Sequence, residues 1–257
     1  MKKEGTVYES SIDLDSTIGA RYAILPGDPA RVKKIVEFLD NPKPLSVHRE
    51  YTSYEGFIDG EKVIVMSTGM GGPSMAIGVE ELFKIGVTTF VRLGTCGAMQ
   101  MPIMGGDIVI PTGAIRQEGT TKEYVYVEFP AVPNFDVTLA LRESAKKIGA
   151  KYYAGVVQSK DSLYGQHDPL RMPIGKELKA RYDTWIKAGA LASEMECAAL
   201  FIVAQTLGAR AGAVLHCLWN KEREEAGLDS PTMRDMTKAI LTVREGIREL
   251  IKQDKAK

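Results

Sequence analysis

Short apolar runs rich in β-branched residues alternate along this 257-residue chain with longer segments of helical period. This alternation is typical of an α/β protein with a buried sheet, because strands that are covered on both faces carry no polar side. We therefore predict one domain over residues 1–257, with a central mixed, largely parallel β-sheet flanked by helices. The length is within the range that one such core supports.

Turn and cap signals place the individual elements. Asp59-Gly60 suits a type I′ turn and predicts a hairpin within 51–69. The other strands are predicted at 21–25, 88–98, 105–111, 152–159 and 211–220, with Arg49 beginning a strand. Helices are predicted from the segment PGDPARV (26–32) to about 39, at 72–86, 136–148 and 175–189, and at the end of the chain to about 252. Segments 160–175 and 221–230 are predicted to be loops.

The composition excludes several classes of partner. Because 33 basic residues balance 33 acidic ones, no overall field draws nucleic acid or an anionic membrane surface. The sequence shows neither a signal peptide nor a membrane-spanning stretch, so we expect a cytoplasmic protein. Three cysteines without a CxxC spacing predict buried free thiols. Three histidines far apart in sequence argue against a zinc site.

Two arginines lie inside or just after predicted strands, at the edge where open α/β sheets bind their ligands. Arg92 lies in an apolar context, so its guanidinium needs either a bound anion or an internal carboxylate partner. Arg31 falls in the first turn of a helix, where free N–H groups favour an anion, although a solvated surface arginine also fits. The glycines at 69, 71 and 72 do not match GxGxxG, which favours close backbone packing over a dinucleotide site.

The segment LASEMECAAL, residues 191–200, places Glu194 and Glu196 in an otherwise apolar run. Residues two apart point about 200° from each other in a helix but share a face in an extended segment. We therefore predict that Glu194 closes a strand and Glu196 opens a helix. A preference for acids at helix starts explains Glu196 alone and gives no reason for Glu194.

Six blocks of sequence resemble those of the uridine phosphorylases, a branch of the nucleoside phosphorylase superfamily. They are GDPARV, HREYTSYEG, STGMGGPS, VRLGTCGA, SKDSLYGQHDPLRMP and ASEMECAALF. The resemblance runs from about residue 18 to the C-terminal helix. It implies an enzyme of pyrimidine salvage in which inorganic phosphate, the co-substrate, displaces uracil from C1′ of uridine, and no cofactor is required.

The resemblance also implies roles for individual residues. The implied phosphate ligands are Gly27, Arg31, Arg49, Arg92 and Thr95; the ribose ligands are Glu9, Glu194, Met195 and Glu196; the base ligands are Leu163, Gln166, Arg171 and Lys221. Among these, Arg92, Glu196 and Arg171 are expected to carry catalysis. Arg49 and Glu9 are expected to act in the neighbouring subunit, which implies a homohexamer built as a trimer of dimers with shared active sites. A potassium ion at Glu50, the Met70 carbonyl and Ser74 is a further implication.

Three positions depart from the family pattern and bear on base preference. Leu163 stands where many relatives have a phenylalanine that packs on the base, and Glu9 stands where many have a histidine. Lys221 replaces a common arginine, which keeps the charge but loses the planar fork.

Two other functions remain open from the sequence. A purine nucleoside phosphorylase or a hydrolytic nucleosidase of the same superfamily is the first, although Asn220 stands where purine members place an aspartate. A non-catalytic nucleoside-binding protein on the same fold is the second, since fold does not determine function.

Overall fold

In the computed structural model, which describes residues 5–256, nine strands form one mixed sheet with helices on both faces. The ends of the predicted domain, residues 1–4 and 257, lie outside the described residues. The strands are β1 (Tyr8–Glu9), β2 (Leu14–Asp15), β3 (Tyr22–Leu25), β4 (Asp40–His48), β5 (Tyr51–Ile58), β6 (Glu61–Met66), β7 (Thr89–Ala98), β8 (Ile108–Gln117), β9 (Tyr152–Lys160), β10 (Ala192–Glu194) and β11 (Arg210–Asn220). The α-helices are α1 (Pro29–Val36), α2 (Gly72–Lys84), α3 (Phe135–Lys147), α4 (Leu163–His167), α5 (Gly175–Lys187), α6 (Cys197–Thr206), α7 (Lys221–Glu225) and α8 (Thr237–Lys255).

The sheet divides the core into two apolar clusters. Alternate residues of β3 point to opposite faces, so Ala23 and Leu25 join the cluster under α2 and α6, whereas Tyr22 and Ile24 join the cluster under α1, α3 and α8. Helix α6 is apolar around its whole circumference because it is buried on every side. The predicted α/β architecture is thus confirmed.

The sheet is partly closed on itself. Its order is β10-β9-β8-β11-β7-β3-β6-β5-β4, and β10 pairs again with β7. This pairing closes β7, β11, β8, β9 and β10 into a small barrel. Strands β6, β3, β7 and β11 are parallel, as are β8, β9 and β10, but the two groups run in opposite directions.

The predicted hairpin turn is confirmed. Asp59 and Gly60 have φ values of 49° and 79° between the antiparallel strands β5 and β6, as a type I′ turn requires. The three cysteines are buried and free, also as predicted. No helix within residues 5–256 has the length and apolarity needed to cross a membrane.

Four local predictions need correction. Helix α1 ends at Val36 rather than near 39, and Arg49 lies in the turn before β5 with φ 52° rather than beginning the strand. The segment 160–175 contains α4 and a 3-10 turn, and 221–230 contains α7. Ser162 and Asn220 each accept a backbone N–H three residues on, and these caps stabilise helical turns too short to show a periodic pattern.

Candidate active site

A cavity of about 520 Å³ lies where β3, β7, β9 and β10 end, a volume suited to a small organic ligand. Ten of the residues implicated by the sequence line it: Gly27, Arg31, Met70, Arg92, Thr95, Leu163, Gln166, Glu194, Met195 and Glu196. The structure therefore brings residues from five separate sequence blocks to one place.

The two glutamates occupy the predicted switch from strand to helix. Strand β10 ends at Glu194, and Glu196 is the N-cap residue of α6. Both side chains turn toward Arg92, whose Nε lies 3.2 Å from Glu194 and whose Nη2 contacts Glu196. The geometric prediction that they share a face is confirmed.

The two carboxylates are held differently. Glu194 accepts hydrogen bonds from the backbone N–H groups of Glu196 and Cys197 at 2.9 and 3.0 Å, and from the Ser159 hydroxyl. Together with Arg92, these donors occupy both of its oxygens. Glu196 accepts from the Gly71 N–H at 2.6 Å, and its other oxygen meets Arg92 at the cavity wall. Glu194 is therefore an anchoring group, whereas Glu196 is the carboxylate with capacity to bind a ligand.

Arg92 is the buried cation at the centre of the cavity wall. Arg92 is 3% exposed. Gly94 leaves room for its guanidinium group, since a Cβ at position 94 would lie 2.7 Å from Arg92 Nη2. Within residues 5–256, Arg92 Nη1 is buried without a hydrogen-bond partner. A buried N–H donor of a charged group requires an acceptor, so this atom indicates an anion site. Both alternatives that the sequence left open for Arg92 therefore apply: it pairs with internal carboxylates, and it retains one N–H donor for an anion.

Burial is the largest influence on the pKa values of Arg92 and Glu196. Burial disfavours the charged form of Arg92, but Glu196 and Glu194 outweigh it and raise the arginine's pKa. Burial also raises the pKa of Glu196, and Glu194 adds to this rise, while Arg92 and the Gly71 N–H oppose it. Arg92 therefore stays protonated, and the pKa of Glu196 lies above the ordinary value of a glutamate.

A second arginine faces the same corner of the cavity. Arg31 lies in the first turn of α1, as predicted, with its Nε 3.9 Å from Asp28. Burial lowers the pKa of Arg31, and the field of Arg92 lowers it further. A Cβ at Gly27 would lie 2.9 Å from the Gly69 carbonyl, so only glycine permits this close approach of two strand ends. An anion bound here would relieve the repulsion between the two guanidinium groups.

The opposite end of the cavity combines a polar chain with an apolar wall. Lys160 donates to the Ser193 hydroxyl at 2.6 Å, and Ser193 donates to Gln166 Oε1 at 2.9 Å. Trp219 forms part of the wall and contacts the His167 ring, with centroids 5.6 Å apart. Our reading of the sequence assigned no role to Lys160, Ser193 or Trp219. The sequence signal that could have identified these residues was their position at the ends of predicted strands.

Four predicted ligands lie outside the cavity of this chain. Arg171 is largely exposed and bonds Asp168 at 3.1 Å, and Lys221 pairs with Glu225 at 3.3 Å. Glu9 lies 3.5 Å from Lys84, and Arg49 is exposed in its turn. Arg171 therefore does not line the cavity in this structure, and its base contact stays a prediction.

The residues implied for potassium lie together beside the cavity. A Cβ at Gly69 would be 3.1 Å from Glu50 Cβ and 3.5 Å from Ser74 Oγ, so both side chains lie near Gly69, the neighbour of Met70 in the chain. Carboxylate, hydroxyl and carbonyl oxygens are the donors that a hard cation prefers. The local donor set fits such an ion.

Asn220 is fully buried and committed to the fold. Its Nδ2 donates to the carbonyls of Gln100 and Ile103, and its Oδ1 accepts from the Arg223 N–H. Since both ends of the amide are occupied, this residue has no group left to protonate a purine base.

Comparison with known proteins places these features in a family. The model of the phosphorylase superfamily matches residues 21–243. The uridine phosphorylase of Treponema pallidum is 48% identical over 246 residues, which cover 96% of this chain and 95% of that protein. The uridine phosphorylase of Klebsiella aerogenes is 40% identical, covering 95% and 98%. The guanosine phosphorylase of Halorubrum lacusprofundi is 41% identical over 192 residues, 75% of each chain.

Proposed function

The chain belongs to the phosphorylase superfamily, and we propose that it is an enzyme that catalyses the reversible phosphorolysis of uridine to uracil and ribose 1-phosphate, in pyrimidine salvage. One observation carries the chemistry: Arg92 has a buried Nη1 donor that is unpartnered within residues 5–256 and suits an anion, and its Nη2 contacts Glu196, the carboxylate that can hold a sugar. Phosphate and nucleoside would therefore bind side by side in one cavity.

In the proposed reaction a phosphate oxygen bonds to C1′ as the bond from C1′ to N1 of the base breaks. The electron pair of that bond leaves with the base, which then takes a proton from solvent. Because phosphate is a weak nucleophile, its positioning by Arg31, Arg92 and the first turn of α1 supplies much of the rate. Gly27 and Thr95 line the same corner.

Glu196 would accept hydrogen bonds from the ribose hydroxyls beside Met195. The sugar acquires oxocarbenium character as the base departs, and a carboxylate nearby stabilises that positive charge. Glu194 holds Glu196 and Arg92 in place through the backbone of the strand-to-helix switch. At the far end, Gln166 faces the base, with Leu163 and Trp219 as apolar walls.

Turnover of a nucleoside panel with and without phosphate tests the proposal. We expect uridine to be consumed only when phosphate is present, with ribose 1-phosphate and uracil formed in equal amounts. Deoxyuridine, thymidine and guanosine should be included, because one relative is a guanosine phosphorylase. Uridine loss without phosphate, or turnover of guanosine in preference to uridine, contradicts the proposal.

Arg31→Ala is expected to raise the KM for phosphate by roughly 10- to 150-fold, which corresponds to about 1.5–3 kcal/mol for hydrogen bonds to a charged group. The fold should be unaffected, since the Arg31 side chain is a quarter exposed and lies 3.9 Å from its nearest carboxylate. Initial rates at varied phosphate measure the effect. Arg21→Ala, which removes an exposed arginine paired with Glu61, is the matched control and should leave this KM unchanged.

We further propose a cytoplasmic homohexamer, a trimer of dimers, whose active sites are completed by Arg49 and Glu9 of a neighbouring subunit. The exposed Arg49, which forms no ion pair within residues 5–256, supports this arrangement. Sedimentation measures the assembly.

Mixing two inactive variants tests the shared site. Arg49→Ala and Glu196→Gln should each be poorly active, but subunits exchanged between them should regain about a quarter of wild-type activity. Half of the resulting dimers are mixed, and each mixed dimer has one site with both native residues, as two-fold symmetry requires. Failure to regain activity after proven exchange contradicts a shared site, and Arg21→Ala mixed with Glu196→Gln is the control.

A potassium ion is proposed at Glu50, the Met70 carbonyl and Ser74, completed by the same residues of the second subunit. Its contribution would be to hold the two subunits together beside the shared sites. Replacing potassium with choline should then weaken association, as measured by sedimentation.

A further inference from the structure

Lys160 is a buried cation to which the proposed chemistry has so far given no role. It ends β9, is 5% exposed and lines the large cavity. Burying an ammonium group is costly unless charged or hydrogen-bonding partners compensate it. Within residues 5–256 its Nζ has one hydrogen-bond partner, Ser193 Oγ, so two of its three N–H donors remain for a ligand.

The position of Ser193, the hydrogen-bond partner of Lys160 Nζ, shows which cavity the ammonium group faces. Lys160 and Gln166 also border a smaller cavity of about 190 Å³. Ser193, however, lines the large cavity and not the small one. Because Nζ lies 2.6 Å from Ser193 Oγ, the ammonium group is on the side of the large cavity.

Lys160 belongs to the base end of that cavity. The chain of hydrogen bonds from Nζ through Ser193 ends on Gln166 Oε1, which leaves the Gln166 Nε2 donor toward the ligand. Burial lowers the pKa of His167, and the charge of Lys160 adds to this effect, which places the two groups near each other. Arg31 and Arg92 line the same cavity, and they supply its anion-binding donors.

Two buried carboxylates act on Lys160. Burial lowers the pKa of Lys160, and the charges of Glu194 and Glu196 oppose this shift without cancelling it. The same two carboxylates pair with Arg92, so they favour the charged forms of both basic groups.

We propose that Lys160 is a catalytic residue that donates a hydrogen bond to a carbonyl oxygen of the departing pyrimidine. As the bond from C1′ to N1 breaks, its electron pair spreads from N1 onto the ring carbonyls, and a fixed positive charge there stabilises the leaving group. The proton that the base finally acquires comes from solvent, so Lys160 keeps its own. This inference rests on the proposed phosphorolysis of uridine. It gives Lys160 the role that the family resemblance implied for the exposed Arg171.

A leaving-group comparison tests the role of the charge. Lys160→Met should lower kcat for uridine by roughly 100-fold. The loss for 5-fluorouridine should be less than 10-fold, because fluorine already stabilises negative charge on the departing ring. The KM for phosphate should change less than threefold in both cases. A purely structural lysine would lower the rates of both nucleosides equally, and equal losses overturn the proposal.

A second variant keeps the test valid if Lys160→Met does not fold. Lys160→Gln retains a donor for Ser193 and removes only the charge, so it should show the same difference between the two nucleosides. Thermal unfolding of each variant checks the fold. Wild-type protein that fails to phosphorolyse uridine refutes the proposed function, whereas active wild type with a uniformly slowed or unchanged Lys160→Gln refutes only the role of Lys160.

Discussion

Arg92→Met is expected to lower kcat/KM for uridine on the order of 10³-fold and to destabilise the fold by about 3–5 kcal/mol. The kinetic loss arises because Nη1 is the buried donor of the anion site. The loss of stability arises because Glu194 and Glu196, both nearly fully buried, would lose their shared cation. Initial rates at limiting uridine measure the kinetic effect, and urea denaturation measures the loss of stability.

The destabilisation of this variant should depend on pH with a definite sign. Burial already raises the pKa of Glu196, and without Arg92 the rise would increase. A carboxyl whose pKa is higher folded than unfolded favours the folded state as the pH falls, so Arg92→Met should recover stability on acidification toward that raised pKa.

Arg210→Met is the matched control for Arg92→Met. It breaks the half-buried contact of Arg210 with Asp254, 2.9 Å long and away from the cavity. We expect it to lose stability while the KM for phosphate stays unchanged. Equal kinetic losses in the two variants would contradict a direct role of Arg92.

The elements that the sequence predicted well are those with locally encoded signals. Asp59-Gly60 requires a particular turn, and an apolar run with acids two apart requires an extended backbone before a helix. The edge strand β4 was not predicted, because Pro42 and Pro44 interrupt its pattern. Proline is tolerated there since an edge strand has unpaired N–H positions.

The closed barrel could not be predicted from the sequence. Ligand sites of parallel sheets lie at the carboxyl ends of the strands, and this rule located Gly27, Arg31 and Arg92. Strands β9 and β10 run in the opposite direction from β7, and they reach the site because Ser193 pairs antiparallel with Gly97. That pairing depends on contacts far apart in the chain, which no local pattern encodes.

Contacts between residues far apart in the chain also explain why Lys160, and not Arg171, lines the cavity. Both lie in one sequence block, and the family resemblance implied Arg171. Lys160 ends a strand whose neighbours β8 and β10 bury it, whereas Arg171 follows a one-turn helix and bonds Asp168 in solvent. Burial against distant strands decides which of the two cations faces the cavity.

Glu196→Gln is expected to lower kcat/KM for uridine by roughly 10²- to 10³-fold, with the KM for phosphate changed less than threefold. The amide keeps the shape and one acceptor for the Gly71 N–H, but it loses the charge that stabilises the oxocarbenium-like sugar. Arg92 retains Glu194, so the fold should be nearly intact. Steady-state rates with uridine and phosphate varied independently measure this pattern.

Glu194→Gln should behave differently, because its oxygens accept two backbone N–H groups and the Ser159 hydroxyl. An amide NH₂ facing those donors is repelled, so this variant should lose more stability than Glu196→Gln.

The pH dependence of kcat/KM tests the role of Glu196 further. Since the pKa of Glu196 is raised, kcat/KM of the wild type should fall as the pH drops through a value above the ordinary glutamate pKa of about 4.3. In Glu196→Gln, kcat/KM should not fall with pH in this way. If that fall persists and the rate stays within threefold of wild type, Glu196 does not bind the ribose.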